Sequence, residues 1–355
     1  MSLYRLVRPL AFRLPAETAH GLGKGALKAA GSLDPVRRLV RGAYRYRHPA
    51  LRVEAFGVEF PTPVGVAAGF DKNGEATHAL ADLGFGFVEV GTVTPRPQDG
   101  NPRPRLFRLP EDRGMINRLG FNGQGVERVR RRFERRGTPD VPVGVNVGKM
   151  NDSGAAVAVE DYRTVLEAVY PYPDYFVVNV SCPNTPDEFD ETGPDHLRSL
   201  LGALSAANDE DKPILVKVGP DDRRSDLADL VEIVEEFDVA GVVATNTTTD
   251  RPDLSSPHRA EWGGLSGRPL EEKATETVRT LAGLTDLPIV GVGGVDSAQS
   301  AYRKIRAGAT LVQLYTGFVY GGPSTPREIA SGLVDLLERD GFDSVEEAVG
   351  ADLDS

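Results

Sequence analysis

The stretch YFVVNVSCPNTP, residues 175–186, begins as an apolar, β-branched run and ends in a polar knot of Asn179, Ser181, Cys182, Asn184 and Thr185. A continuous apolar run of this kind fits a strand buried on both faces, as in a parallel sheet. Such a strand carries a thiol and several amide and hydroxyl groups to its C-terminal end, which reads as an active-site floor. Similar runs recur on either side, at 63–67, 87–93, 141–147, 214–218, 241–244, 289–292 and 311–314. Helical patterns separate them, at 126–135, 162–169, 197–206, 227–237, 275–284 and 298–307. Eight buried strands alternating with helices over about 250 residues favour an α/β fold of the closed (β/α)8 TIM-barrel type over an open doubly wound sheet.

Outside this rhythm lie three segments. Residues 51–60 alternate around Gly57 and read as a β-hairpin. Between the second and third runs, RLFRLPEDRGMINRLGF (105–121) reads as an inserted hairpin turning at 111–114. An insertion after a barrel strand lies over the active face. Ahead of the barrel, Leu3, Leu6, Val7, Leu10 and Leu14 fall at helical spacing, Pro15 opens a second helix, and Asp34-Pro35 introduces a third. Three such helices either lie on a bilayer surface or cap the main domain. The expected division is a small N-terminal helical extension at 1–48, a barrel at 49–340 and an acidic tail at 341–355.

Charge separates the extension from the barrel. Residues 1–48 hold ten basic and two acidic side chains, a net of +8, which leaves −19 of the total −11 on the rest. After residue 48 the lysines are Lys72, Lys149, Lys212, Lys217, Lys273 and Lys304. An acidic, lysine-poor surface suggests a halophile, where carboxylates keep the protein dispersed. It also argues against nucleic acid as a partner, since an acidic barrel repels phosphate backbones. The single cysteine excludes an intramolecular disulfide framework and a Cys-rich metal site. No run approaches the roughly 18 apolar residues of a spanning helix, and no secretory signal pattern opens the chain.

The strand ends carry the chemistry. The first ends in AAGFDKNG with Lys72, the second in GTVTP with Thr92, the third holds Asn146, and the sixth ends in ATNTT with Thr245, Asn246 and Thr247. Lys217 stands inside ILVKVGP. A lysine in a strand can snorkel, but in a barrel buried on both faces an anion or electron-rich ring is the better partner. Asn146, Asn179, Asn184 and Asn246 make a neutral donor–acceptor surface suited to a heterocycle with amide edges. Gly293-Gly294 and Thr316-Gly317 follow the last two strands, where barrels commonly bind phosphate. With no early GxGxxG unit, a mononucleotide flavin fits better than a dinucleotide. A lone cysteine is often an inert small hydrophobe, but Cys182 stands among polar groups, as a nucleophile or general base would.

AAGFDKNGE, GTVTPRPQDGNPRPRLFRL, INRLGFNGQG, NVSCPNTP, VATNTT, GGLSGRPL, GVGGVDS and LVQLYTGF together resemble the dihydroorotate dehydrogenase family, in order, from about residue 48 to 335. The basic N-terminal helices resemble the extension of its class 2, quinone-reducing, membrane-associated branch. The resemblance implies oxidation of (S)-dihydroorotate to orotate in pyrimidine synthesis, with FMN as cofactor. FMN would be held by Ala68, Gly69, Phe70, Asp71, Lys72, Thr92, Asn146, Asn179, Lys217, Thr245, Gly267, Gly294, Tyr315 and Thr316. Lys217 would stabilise negative charge at the pyrimidine edge of the ring. Dihydroorotate would be held by Lys72, Asn117, Arg118, Leu119, Gly120, Phe121, Asn179, Asn184, Asn246 and Thr247, with Lys72 opposite its carboxylate. Cys182 matches the base that takes the C5 proton. Class 2 relatives usually place serine there and class 1 relatives cysteine, so the chain combines a class 2 body with a class 1 base.

His20 and Arg108 match the region of the quinone tunnel. The implied protein is a monomer, peripheral to the cytoplasmic face of the cell membrane. Rival readings are the same barrel with fumarate or NAD as acceptor, a flavin enzyme acting on another dihydropyrimidine or on dihydrouridine, an IMP-dehydrogenase-like barrel without flavin, and a non-catalytic scaffold.

Overall fold

The computed structural model describes residues 3–184 and 192–353; Thr185 and Pro186 of the opening stretch lie outside the described residues. Eight strands close a parallel barrel: β3 (Val64–Asp71), β4 (Phe87–Val93), β7 (Val143–Val147), β8 (Tyr175–Asn179), β9 (Ile214–Val218), β10 (Gly241–Ala244), β12 (Ile289–Val292) and β13 (Leu311–Leu314). Strand β13 returns to β3, with Val312 opposite Val64. Helices connect them on the outside: α4 (Thr77–Asp82), α5 (Val126–Arg136), α6 (Ala155–Val169), α7 (Pro194–Ala206), α8 (Arg224–Glu236), α9 (Glu271–Ala282) and α10 (Ala298–Arg306), with α11 (Thr316–Gly321) and α12 (Thr325–Asp340) after β13. Strands covered on both faces have no polar side to show, so β7, β8 and β9 are buried at every position.

The lower end of the barrel is plugged by the predicted hairpin, β1 (Val53–Ala55) and β2 (Val58–Phe60). Phe56 and Phe60 pack against Tyr175, and Phe60 also against Phe87, with ring centroids 5.2–6.4 Å apart. The bulk of Tyr175 explains Gly144 opposite it: a Cβ there would lie 2.3 Å from the Tyr175 ring.

Over the upper end lies the inserted hairpin, β5 (Leu106–Leu109) and β6 (Gly114–Asn117). It gains a third strand, β11 (Gly264–Gly267), antiparallel to β6, which the sequence pattern does not reveal. The acidic tail expected over 341–355 is instead packed where it is described. Its helix α13 (Val345–Ala348) buries Val345 and Ala348, and Asp352 pairs with Arg306 at 2.5 Å.

The extension forms α1 (Leu3–Ala11), α2 (Ala16–Ala30) and α3 (Asp34–Tyr44). Much of its positive charge docks it on the barrel. Lys24 and Lys28 reach Glu75 at 2.8 and 3.2 Å, and Arg37 and Arg41 both reach the buried Asp82 at 2.8 Å. Arg45 pairs with Asp140 at 2.7 Å. The apolar stripe stays outside: Leu6, Val7, Leu10, Leu14, Leu22, Leu33 and Leu39 are exposed. Capping and surface exposure therefore coexist, on different faces. Among the described residues no helix is long and apolar enough to cross a membrane.

Candidate active site

A cavity opens at the C-terminal ends of the barrel strands, under the three-stranded sheet. Lys72, Thr92, Asn117, Asn179, Cys182, Asn184, Lys217, Asn246 and Thr247 all line it. Its other wall is formed by Ala68, Gly69, Thr245, Gly267, Gly294, Tyr315 and Thr316, and its rim by Leu119, Gly120 and Phe121. Backbone at Gly69 takes φ +93, a conformation that side chains resist, so the chain turns flush with the cavity beside Tyr315.

Polar groups on the floor are joined in one chain. Gln313 Nε2 donates to Glu89 Oε2 (2.6 Å), and Asn146 Nδ2 to Glu89 Oε1 (2.9 Å). Thr92 Oγ1 donates to Asn146 Oδ1 (2.6 Å), Asn179 Nδ2 to Thr92 Oγ1 (2.9 Å), and Asn246 Nδ2 to Asn179 Oδ1 (3.2 Å). At the rim, Asn184 donates to Asn117 Oδ1 and accepts from the Gly264 N–H, both at 3.2 Å, so β6, β11 and the segment after β8 hold one another. Among the described residues that line the cavity, Gln313 Oε1 and Thr247 Oγ1 are buried and left without partners. Unpaired buried polar atoms are costly, so the cavity suits a ligand that brings donors and acceptors of its own.

Two lysines supply positive charge. Lys72 touches the cavity but is otherwise ringed by protein. Burial pushes it down to about 8, with the neighbouring Cys182 pulling it up and Arg105 and Lys24 adding to the fall. Lys217 is also lowered by burial, against the pull of Glu89 and Cys182. Both are placed to gain from an anionic or electron-rich ligand.

Some residues expected to hold FMN or substrate lie off the cavity, and the two quinone-site candidates lie at the extension. Phe70 packs among His20, Tyr315 and Phe318. The Asp71 carboxylate accepts the backbone N–H groups of Glu75 and Ala76, at 2.9 and 2.6 Å, ahead of α4. Asn146 lies beneath the lining, within the floor chain. Arg118 is drawn outward to Glu261 (2.8 Å) and over the rings of Phe107 and Trp262. Arg108 donates to the carbonyls of Ala11 and Leu14 and stacks over Phe12 at 4.6 Å, at the junction of α1 and α2. His20 stacks against Tyr315 at 6.1 Å, behind the cavity wall, and burial with Lys24 and Lys72 holds it down to about 4, hence neutral. Between this junction and the cavity stand Leu106, Met115 and Tyr315, in one apolar cluster with Phe12 and Ala16.

Glu89 and Gln313 are the functional candidates that sequence reasoning missed. The signal was the one that exposed Lys217: a polar residue inside an apolar strand, here FVEV and LVQL.

Comparison with known proteins agrees with this geometry. Residues 50–337 match the family model for dihydroorotate dehydrogenase. A dihydroorotate dehydrogenase (quinone) of Halobacterium salinarum is 52% identical over 99% of this chain and 100% of its own length. The Natronomonas pharaonis protein of the same name is 53% identical over the same shares, and that of Mycobacterium tuberculosis 44% over 98% of each. A crystal structure of Eimeria tenella DHODH in complex with ferulenol superposes with a TM-score of 0.88, at 35% identity, covering 97% of this chain and 98% of that one. Full-length similarity that spans extension, barrel and inserted hairpin leaves one conclusion: the chain belongs to the dihydroorotate dehydrogenase family.

Proposed function

We propose that this protein oxidises (S)-dihydroorotate to orotate on bound FMN and passes the electrons to a membrane quinone. The observation that carries the reading is the pairing of Cys182 with Lys72 in one cavity, walled by Asn117, Asn184, Asn246 and Thr247. A dihydropyrimidine carboxylate needs a base beside C5, a cation for its carboxylate and amides for its ring edges, and these residues offer each. FMN fits the remaining wall: Lys217 and the floor amides suit its ring, Gln313 Oε1 awaits a donor, and Gly294 and Thr316 lie where barrels bind phosphate. When bound, it supplies the acceptor for the hydride leaving C6. Lys72 holds the substrate carboxylate and orients the ring. Asn117, Asn184 and Asn246 read its amide edges. Cys182, as thiolate, takes the C5 proton, so the C5–H electron pair closes the C5=C6 bond while the hydride departs.

Attachment to the membrane follows from the extension. Half of its ten basic side chains, Lys24, Lys28, Arg37, Arg41 and Arg45, are engaged by Glu75, Asp82 and Asp140, whereas Leu6, Leu10, Leu14, Leu22, Leu33 and Leu39 face outward. The apolar face therefore carries binding at the cytoplasmic side of the membrane, which also suits high salt, where the Debye length falls to about 3 Å. Quinone would approach through the α1–α2 junction at Arg108 and His20, toward Tyr315. The similarity to relatives from Halobacterium and Natronomonas supports the halophile reading.

The purified protein should contain FMN, and dihydroorotate should bleach it without air. Cys182→Ala should retain FMN and lose most of that bleaching; a variant that is bleached as fast as the wild type would remove Cys182 as the base.

A further inference from the structure

The floor chain has a direction, and one residue sets it. Glu89 is fully buried in β4, and its two oxygens receive one amide each, from Asn146 and Gln313. A carboxylate can only accept. Both amides must therefore turn their NH2 groups toward Glu89 and their oxygens away. For Asn146 the outward oxygen accepts the Thr92 hydroxyl, which leaves the Thr92 oxygen to accept from Asn179, whose own oxygen accepts from Asn246. The polarity of Thr92, Asn179 and Asn246, all of which line the cavity, thus follows from a residue that does not touch it. For Gln313 the consequence is sharper. Its side chain is fully buried, it lines the cavity, and its outward Oε1 has no partner. Rotating the amide to satisfy that oxygen would turn its NH2 from the carboxylate, so the rotation is blocked.

We propose that Glu89 is a positioning residue that fixes the hydrogen-bond polarity of the cavity floor, and that it thereby reserves Gln313 Oε1 as an acceptor for an N–H or O–H donor of the bound flavin. The proposal rests on the FMN reading above. The donor is either the imide N–H of the ring or a hydroxyl of the ribityl chain, since both offer the same chemistry to a lone acceptor.

Glu89→Gln tests it by exchanging one oxygen for NH2. Asn146 and Gln313 can then no longer both donate, and one of them must turn over. A reversed Gln313 opposes a donor to a donor; a reversed Asn146 inverts the row that ends at Asn246. FMN release from the holoenzyme, followed by recovery of flavin fluorescence on dilution, should report an affinity about tenfold to a hundredfold weaker. Gln313→Leu, which deletes the acceptor, should weaken FMN in the same direction. Adding Glu89→Gln to it should cost less than in the wild-type background, because part of the effect passes through Gln313.

A purely structural Glu89 would behave differently. It would lower the melting temperatures of FMN-loaded and FMN-free protein together, whereas a positioning role narrows the gap between them. The ligand side gives a test without relying on the folding of Glu89→Gln. Reconstitution with 3-methyl-FMN or with ribityl-deoxy FMN should cost affinity in the wild type, and the analogue whose penalty disappears in Gln313→Leu identifies the donor. Glu89→Gln that holds FMN as tightly as the wild type, or analogues penalised equally in both backgrounds, would overturn the proposal alone. A wild-type protein that takes up no FMN would overturn the functional reading and this one with it.

Discussion

Replacing Asp82 by Asn should loosen the N-terminal extension while leaving the barrel intact. Asp82 ends α4 and is 1% exposed, and it receives Arg37 Nε at 2.8 Å and Arg41 Nε and Nη2 at 2.9 and 2.8 Å. Arg45 Nη2 stands 3.6 Å away. Removing one side of a buried ion pair costs about 3–5 kcal/mol, because the surviving charges stay desolvated. Here the three arginines keep 16–38% of their side-chain surface, so water recovers part of the loss. A cost of about 2–3 kcal/mol is the reasonable figure. That corresponds to an opening equilibrium about 30- to 150-fold less favourable for the docked state. Amide hydrogen exchange should show the change as a matching loss of protection in α3, with strands β7 and β8 unaltered. Asp140→Asn is the control. Asp140 also binds Arg45, at 2.7 Å, but its side chain is 48% exposed, so its loss should cost about 0–1 kcal/mol. Molar salt should shrink the small effect and spare the large one. Unchanged protection in α3, or an equal loss throughout the barrel, would refute the view of the extension as a separately docked element.

Three further outcomes follow from the site and its surroundings. Lys72 is lowered to about 8, so its cation is present below that pH and lost above it. The KM for dihydroorotate should then rise about tenfold per unit above pH 8, while Lys72→Met gives a weaker, flat profile; a wild-type KM that stays flat to pH 10 would contradict the assignment. Leu6→Ser with Leu10→Ser should reduce binding to quinone-containing liposomes in high salt without changing flavin bleaching, because both leucines are exposed; unchanged binding would remove the α1 face from the contact. Arg108→Ala frees the carbonyls of Ala11 and Leu14 and uncovers Phe12. It should slow quinone reduction several-fold and leave the dihydroorotate half-reaction alone, as checked by stopped-flow on each half.

Most of the barrel was legible because parallel strands are apolar on both faces. Strands β4, β9, β10, β12 and β13 begin and end where their apolar runs do. Helix α6 begins at Ala155, seven residues before the expected 162, because its first turns, AAVAVED, carry no clear polar face. Strand β11 was invisible for a different reason. Its four residues, GLSG, include two glycines, and only pairing with β6 makes them a strand. The cavity lining was legible at the strand ends, but the direction of a side chain was not. Asp71 and Lys72 are neighbours, yet one accepts backbone N–H groups and the other enters the cavity. Arg118 is captured by Glu261 and Trp262, which lie more than 140 positions away in the chain. Glu89 carries the same signal as Lys217, a charge inside an apolar strand, but its influence lies in partners that only the closed barrel brings together.

Electron flow from dihydroorotate through FMN to quinone is tested by an anaerobic experiment on the FMN-loaded protein in two stages. Dihydroorotate is added first, and the flavin spectrum is followed; then a quinone, fumarate or NAD⁺ is added to separate portions. Dihydroorotate should bleach the flavin stoichiometrically, and colour should return rapidly with the quinone alone. Absence of bleaching, or colour restored by fumarate or NAD⁺ as fast as by quinone, would contradict that route.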